Sequence, residues 1–196
     1  MHFMKIMKRG NLGKVRNLMV FVLFILVFVV VLSIVSAYVV YAEYAEYNYS
    51  QGNITNKAYA SSNALAKPPA TLQVPNELEF SSVQYSQINL SDNNRAATSS
   101  ANYKTHRFVF NITQNKSSII QINISWEGYA TGTNAPQRRV DLYVWNFTAN
   151  NWGTSLANGN GNADYWLNVT LTSGFNDYIN DSGYFSFLVE TIFTSN

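Results

Sequence analysis

Nine Asn-x-Ser/Thr triplets carry the densest modification chemistry in this sequence, at Asn48, Asn53, Asn89, Asn111, Asn115, Asn123, Asn146, Asn168 and Asn180. Each is an acceptor pattern for N-glycosylation, which places bulky, solubilising sugar on an exported surface. All nine lie beyond Ala42. Those at Asn123 and Asn168 fall in stretches of period two and can be used only where their side chains face solvent. A second constellation is the oxygen-rich run Asn158, Asn160, Asn162 and Asp164, which spaces its side chains like the first half of a calcium loop. Ala163 stands where such a loop needs glycine and Val169 where it needs glutamate. One carboxylate holds Ca2+ weakly, so the expectation is no cofactor and no metal.

Aromatic residues form a third group. Tyr143, Trp145 and Trp166 fall opposite the apolar phase of their segments, and Trp152 lies in a loop. Such rings stack on sugars or form an assembly patch when exposed; packing beneath a loop or a partner is their other use. Catalysis lacks its parts. The chain has no cysteine, and His106 is the sole histidine beyond the leader. Neither GxSxG nor HExxH occurs, which removes the minimal serine-hydrolase and zinc-protease motifs. Glu127 and Asp141 flank one loop, but a glycosidase pair must face each other across a cleft. Asp181-Ser182-Gly183 reads as an Asx-type turn rather than a nucleophile. A non-catalytic chain with no catalytic residue is expected.

The elements that would position these groups follow from patterning. The 196 residues are 47% apolar and only 12% charged, with a net charge of +2 that is unevenly spread. Residues 1–42 carry Lys5, Lys8, Arg9, Lys14 and Arg16 without an acidic residue, so this end is +5 and the remainder −3. No Lys/Arg patch of the nucleic-acid-binding kind is present. The basic leader 1–17 runs into the uncharged apolar segment Leu18 to Ala42. As a helix that segment is about 37 Å long against a hydrocarbon core of about 30 Å. It exceeds the ~7–15 apolar residues of a cleaved signal, so a retained signal-anchor is expected. The basic end would stay inside and the C-terminal part outside. Small residues at Val35-Ser36-Ala37 and Val40-Tyr41-Ala42 also offer cleavage positions, which would release a secreted domain.

Residues 43–76 read as an extracellular tether. Its first half could extend the membrane helix, and Pro68, Pro69 and Pro75 would hold the rest extended. From 77 to 196 the period is two: imperfectly over 80–90, then clearly over 107–113, 120–126, 140–145, 165–171 and 185–191. Turn-rich stretches at 127–138, 149–163 and 173–183 separate them. Short strands without helical periodicity between them predict an all-β fold, an antiparallel sandwich.

The run Ile120-x-Ile122-x-Ile124-x-Trp126-Glu127-Gly128, the run Val140 to Thr148 with Trp152, and the closing stretch Asn176 to Tyr184 together resemble a jelly-roll domain of archaeal and bacterial cell-surface proteins. That domain is similar to the galactose-binding-like sandwiches, and the likeness spans residues 104–194. It implies a jelly-roll topology, with Trp126 ending a core strand, Asn146 to Trp152 forming a hairpin turn, and Tyr178 and Ile179 sealing one end. It implies no chemical role for these residues. The cysteine-free, Asn/Tyr-rich and sequon-dense composition also resembles that of archaeal surface proteins.

Three functions fit. The leading one is a membrane-anchored, glycosylated surface protein whose sandwich binds or supports envelope proteins or glycans. A pilin-like filament subunit is second, because Lys8-Arg9-Gly10 resembles an archaeal prepilin cleavage site, although Lys14 and Arg16 would then lie in a fibre core, where charge is costly. A secreted carbohydrate-binding module is third.

Overall fold

A computed structural model of the chain describes residues 45–49, 55–64, 66–89, 94–97, 103–131, 138–161 and 163–191. The chain divides into two compact units, Met1–Ala45 and Glu46–Asn196. The expected leader 1–17 and anchor 18–42 lie outside the described residues. Among the described residues no helix is long and apolar enough to cross a membrane.

The second unit is all-β in character. Its strands are β1 (Lys57–Ala64), β2 (Leu78–Glu79), β3 (Tyr103–Asn111), β4 (Ile122–Gly128), β5 (Arg139–Val144), β6 (Ala157–Asn160), β7 (Tyr165–Leu171) and β8 (Tyr184–Thr191). Two short helices, α1 (Ser82–Ile88) and α2 (Phe175–Tyr178), and one 3₁₀ turn at Lys116–Ser118 complete it. Six strands pair antiparallel in the order β2-β1-β3-β8-β5-β6, while β4 and β7 pair as a second sheet. One apolar cluster joins the two sheets. Phe108, Phe110, Val140, Leu142, Phe187 and Val189 from the large sheet pack with Ile124, Leu167 and Val169 from the small one. Phe187 stacks against Phe108 at 4.7 Å and against Phe110 at 5.9 Å between ring centroids.

The tether expected over 43–76 is corrected by the fold. Tyr49 is buried in the main core, and residues 57–64 form a strand paired with β3 from Lys57↔Val109 to Ala64↔Tyr103. The segment KAYASSNA hides its strand character because it carries small residues rather than β-branched ones. Ala58 and Ala64 are fully buried, at positions where small side chains suffice. Residues 80–90 do not continue as a strand either. Ser81 and Gln84 form a reciprocal capping box that starts α1, and Tyr85 is its buried residue. The Gly/Asn stretch 149–163 contains β6, and α2 interrupts 173–183.

Residues 66–77 do not run extended: the chain bends along 66–68 and 70–73 and turns at Pro75–Asn76, where the Glu77 N–H donates to the Val74 carbonyl at 3.2 Å, and it forms a strap over the outer face of the large sheet. Ser61 Oγ donates to the Pro75 carbonyl at 2.7 Å, Trp152 Nε1 donates to the Thr71 carbonyl at 3.0 Å, and Arg107 forks onto Glu77. Under the strap lies a second apolar cluster of Ala64, Val74, Tyr143, Trp145, Trp152 and Leu188. The large sheet is thus covered on both faces, which is why β5 and β8 are buried along nearly their whole length.

Candidate functional site

Asn123, Ser125, Asn168 and Thr170 form the exposed face of the β4–β7 sheet, opposite the apolar residues that enter the core. The register sets Asn123 against Thr170 and Ser125 against Asn168. Thr170 Oγ1 donates to Asn123 Oδ1 at 3.0 Å, Gln121 Nε2 donates to the same oxygen at 2.8 Å, and Ser125 Oγ donates to Asn168 Oδ1 at 2.8 Å. Two glycosylation triplets therefore interlock across the strand pair, each asparagine bonded to the hydroxyl residue of the other's triplet. Trp166 stands beside this ladder, opposite Glu127, with 52% of its surface exposed. The result is a flat face of amides and hydroxyls with one indole, chemistry suited to sugar hydroxyls and ring faces.

Tyr143, Trp145 and Trp152, the other expected members of an aromatic patch, are not on the surface. They are 5%, 2% and 1% exposed, beneath the strap. Trp145 meets Trp152 edge to face at 5.1 Å. The alternation in β5 is real, but the strap covers the phase that would otherwise face water. Of the four residues, Trp166 alone remains available for recognition.

The calcium-loop residues do not converge either. Asn158 and Asn160 lie in edge strand β6 with their side chains exposed, and Asn162 lies outside the described residues. The Asp164 carboxylate is taken by Arg95, whose Nε donates to Oδ1 at 2.6 Å and whose Nη2 meets the other oxygen. The described residues hold no cluster of three or more metal-ligating side chains.

Several glycosylation asparagines have structural work in turns. Asn115 Oδ1 caps the 3₁₀ turn through the Ser117 N–H at 3.0 Å, Asn146 Oδ1 accepts the Ala149 N–H at 2.7 Å, and Asn180 Oδ1 accepts the N–H groups of Ser182 and Tyr184 at 3.0 and 2.8 Å. The bridge Asn146↔Asn151 closes the turn ahead of Trp152. Gly183, at φ +82°, completes the turn into β8, where an added Cβ would lie 2.6 Å from the Ile112 carbonyl oxygen. Asn48 is exposed and donates to Glu46 at 3.1 Å, whereas Asn89 is half-buried. Asn111 ends β3, and Asn53 lies outside the described residues. Asn111 and Asn180 also line an open groove of about 540 Å³ with Lys57, Tyr59, Arg107 and Tyr184.

The sequence reading missed a row of polar residues under the strap. Adjacent registers place Ser61, Thr105, Glu190 and Asp141 side by side across four strands. Asp141 and Glu190 are 1% and 0% exposed. Lys67 comes down from the strap onto Asp141 Oδ2, while Arg139 Nε and Nη2 donate to Asp141 Oδ1 at 3.0 and 2.9 Å. Ser155 Oγ donates to the same oxygen at 3.3 Å. Burial pushes the Asp141 carboxyl up, but Lys67 and Arg139 outweigh it and hold the group below its ordinary value. Glu190 is pushed up to about 8 by desolvation, which Lys67 opposes and Asp141 reinforces. The available signal was Tyr143, Trp145 and Leu188, large apolar residues in the supposed solvent phase of the same strands. They indicate that the phase is covered.

His106 lies inside β3 on the core side. It meets Phe80 edge to face at 5.2 Å and Phe108 at 6.4 Å. Desolvation pushes its pKa down to about 4. The unfolded chain then binds the proton more readily than the folded one, so stability is lost as pH falls from about 6.5 towards 4. The expected loss is about 2–3 kcal/mol, and H106Q should remove this part of the acid sensitivity. Urea midpoints of both proteins at pH 7 and pH 4.5 check it. Equal acid losses would mean that His106 titrates normally.

The structure thus defines a class: a cysteine-free all-β domain of two sheets sharing one core, with a strap sealing the outer face. Residues 54–194 match the model of the AF_1625_C family, whose description reads "Uncharacterized protein, C-terminal domain", and the chain belongs to that family. No curated protein and no solved structure matches the chain.

Proposed function

We propose that the chain is a non-catalytic, membrane-anchored surface protein whose β-domain recognises envelope components through the β4–β7 face. In this reading residues 18–42 hold it in the lipid bilayer, the domain lies outside, and solvent-facing asparagines carry glycans. Eight antiparallel strands in two layers support the jelly-roll reading of the domain. The observation that carries the recognition role is Trp166, a large aromatic left exposed beside an ordered row of Asn, Ser and Thr side chains. Asp141 and Glu190 are buried beneath the strap, and His106 packs against core aromatics. Isolated aromatic anchors commonly carry a large share of a binding energy.

The test is binding of the full chain in detergent to isolated cell envelopes and to a glycan array, with W166A alongside. W166A is expected to weaken binding about tenfold or more, corresponding to about 1.4 kcal/mol. Equal binding by both proteins would remove the β4–β7 face as the recognition surface. Sequencing the mature N-terminus tests the anchor. An intact leader supports it, a start at Asn11 favours the filament subunit, and a start near Tyr38 or Glu43 favours a released domain.

A further inference from the structure

We propose that Lys67 and Asp141 condense inside the folded domain to form an isopeptide bond between strap and sheet, with Glu190 as the proton carrier. Lys67 Nζ lies against Asp141 Oδ2 within the domain, with side-chain exposures of only 12% and 2%. Glu190 stands opposite Asp141 in the β5–β8 register, on the same face. Facing positions in antiparallel strands bring side chains to about 5 Å at Cβ. Neither Glu190 oxygen has a hydrogen-bond partner among the described residues, and the Thr105 hydroxyl beside it is likewise unpartnered. An unsatisfied buried carboxyl is costly, and here it sits beside an amine and a second carboxyl.

The groups facing this centre are Lys67 from the strap, Arg139, Asp141 and Tyr143 from β5, Glu190 from β8 and Thr105 from β3. Desolvation lowers the Lys67 amine towards its neutral, nucleophilic form, against the opposing pull of Asp141 and Glu190. The raised Glu190 pKa leaves a carboxylic acid at neutral pH. Arg139 and Ser155 bind Asp141 Oδ1 and leave Oδ2 to Lys67.

The condensation balances. The Lys67 ammonium first passes one proton to Asp141 Oδ2; the neutral Nζ then attacks Asp141 Cγ, and negative charge develops on Oδ1 under the Arg139 guanidinium. Glu190 protonates Oδ2 and takes a proton from the attacking nitrogen. The Cγ–Oδ2 bond breaks, one water leaves, and Glu190 ends protonated as it began. No oxidant or cofactor takes part. Reactants held in contact gain an effective concentration far above that in solution, and the strap with Val74, Tyr143 and Leu188 keeps bulk water from reversing the step. In a chain without cysteine this bond would supply the covalent staple that a disulfide cannot.

The test is the intact mass of the denatured full chain, made in a host without N-glycosylation. The chain is expected to be lighter than its sequence by one water. Trypsin should release a branched peptide joining residues 58–95 to 140–196, because cleavage falls after Lys57, Arg95 and Arg139. K67R keeps the positive charge and should restore the full mass, as should D141A. E190Q leaves both reacting side chains in place and should cut the cross-linked fraction at least tenfold. A wild-type chain of full mass that yields the two peptides separately would reduce the site to a buried ion pair and overturn the proposal. A cross-link undiminished in E190Q would remove Glu190 as the proton carrier.

Discussion

Replacing Trp152 with alanine is expected to cost about 3–5 kcal/mol of folding stability, the usual range for deleting a fully buried large aromatic side chain. Trp152 is 1% exposed, so nearly all of its surface is lost to a cavity. It also supplies the edge-to-face contact with Trp145 at 5.1 Å, which adds roughly 0.5–1.5 kcal/mol beyond area burial. Its Nε1 is the donor that fixes the Thr71 carbonyl of the strap at 3.0 Å. Trp152→Phe keeps most of the apolar volume and removes that donor, so it should cost less and loosen the strap selectively. The urea midpoint, at an unchanged slope, reports the stability loss. Limited proteolysis within residues 66–77 reports the strap. A Trp152→Ala protein within 1 kcal/mol of wild type would mean that the strap does not depend on this anchor.

Why the strap escaped the sequence reading follows from the same residues. Pro68, Pro69 and Pro75 rule out a helix, but that alone does not separate a solvated extended linker from a chain that bends over a sheet. Tyr143 and Trp145 alternate with Val140, Leu142 and Val144, and alternation is the mark of a half-buried strand. Both phases of β5 are apolar enough to be covered, and only the long-range placement of Val74, Leu72 and Thr71 decides what covers the outer one. β4 and β7 were legible because one phase holds Ile124, Leu167 and Val169 and the other holds Asn, Ser and Thr. β1 lacked the residues that advertise a strand. The interlocked triplets at Asn123 and Asn168 needed the register, which no local pattern supplies. The Lys67–Asp141–Glu190 centre needed it as well, because its three members come from the strap, β5 and β8.

Glu77→Ala should prove as damaging as the loss of Trp152, for an electrostatic reason. Arg107 and Glu77 have side-chain exposures of 5% and 9% and meet in a two-pronged contact, with Arg107 Nε donating to Glu77 Oε2 at 2.9 Å. The guanidinium also lies 4.3 Å from the centre of the Tyr59 ring, so its other side is closed to water. Removing the carboxylate strands a buried cation, which typically costs about 3–5 kcal/mol. Glu77 Oε2 also accepts the Val74 N–H at 3.2 Å, so the alanine variant frees the end of the strap in the same step. The decisive comparison is with a double variant, Glu77→Leu with Arg107→Met. A buried ion pair exchanged for apolar side chains of similar volume is often neutral or stabilising. The double variant should therefore recover most of what Glu77→Ala loses, as a coupling between contacting sites. Equal losses in both would show that the strap is held by the shape of the salt bridge, not by the penalty of leaving one charge alone.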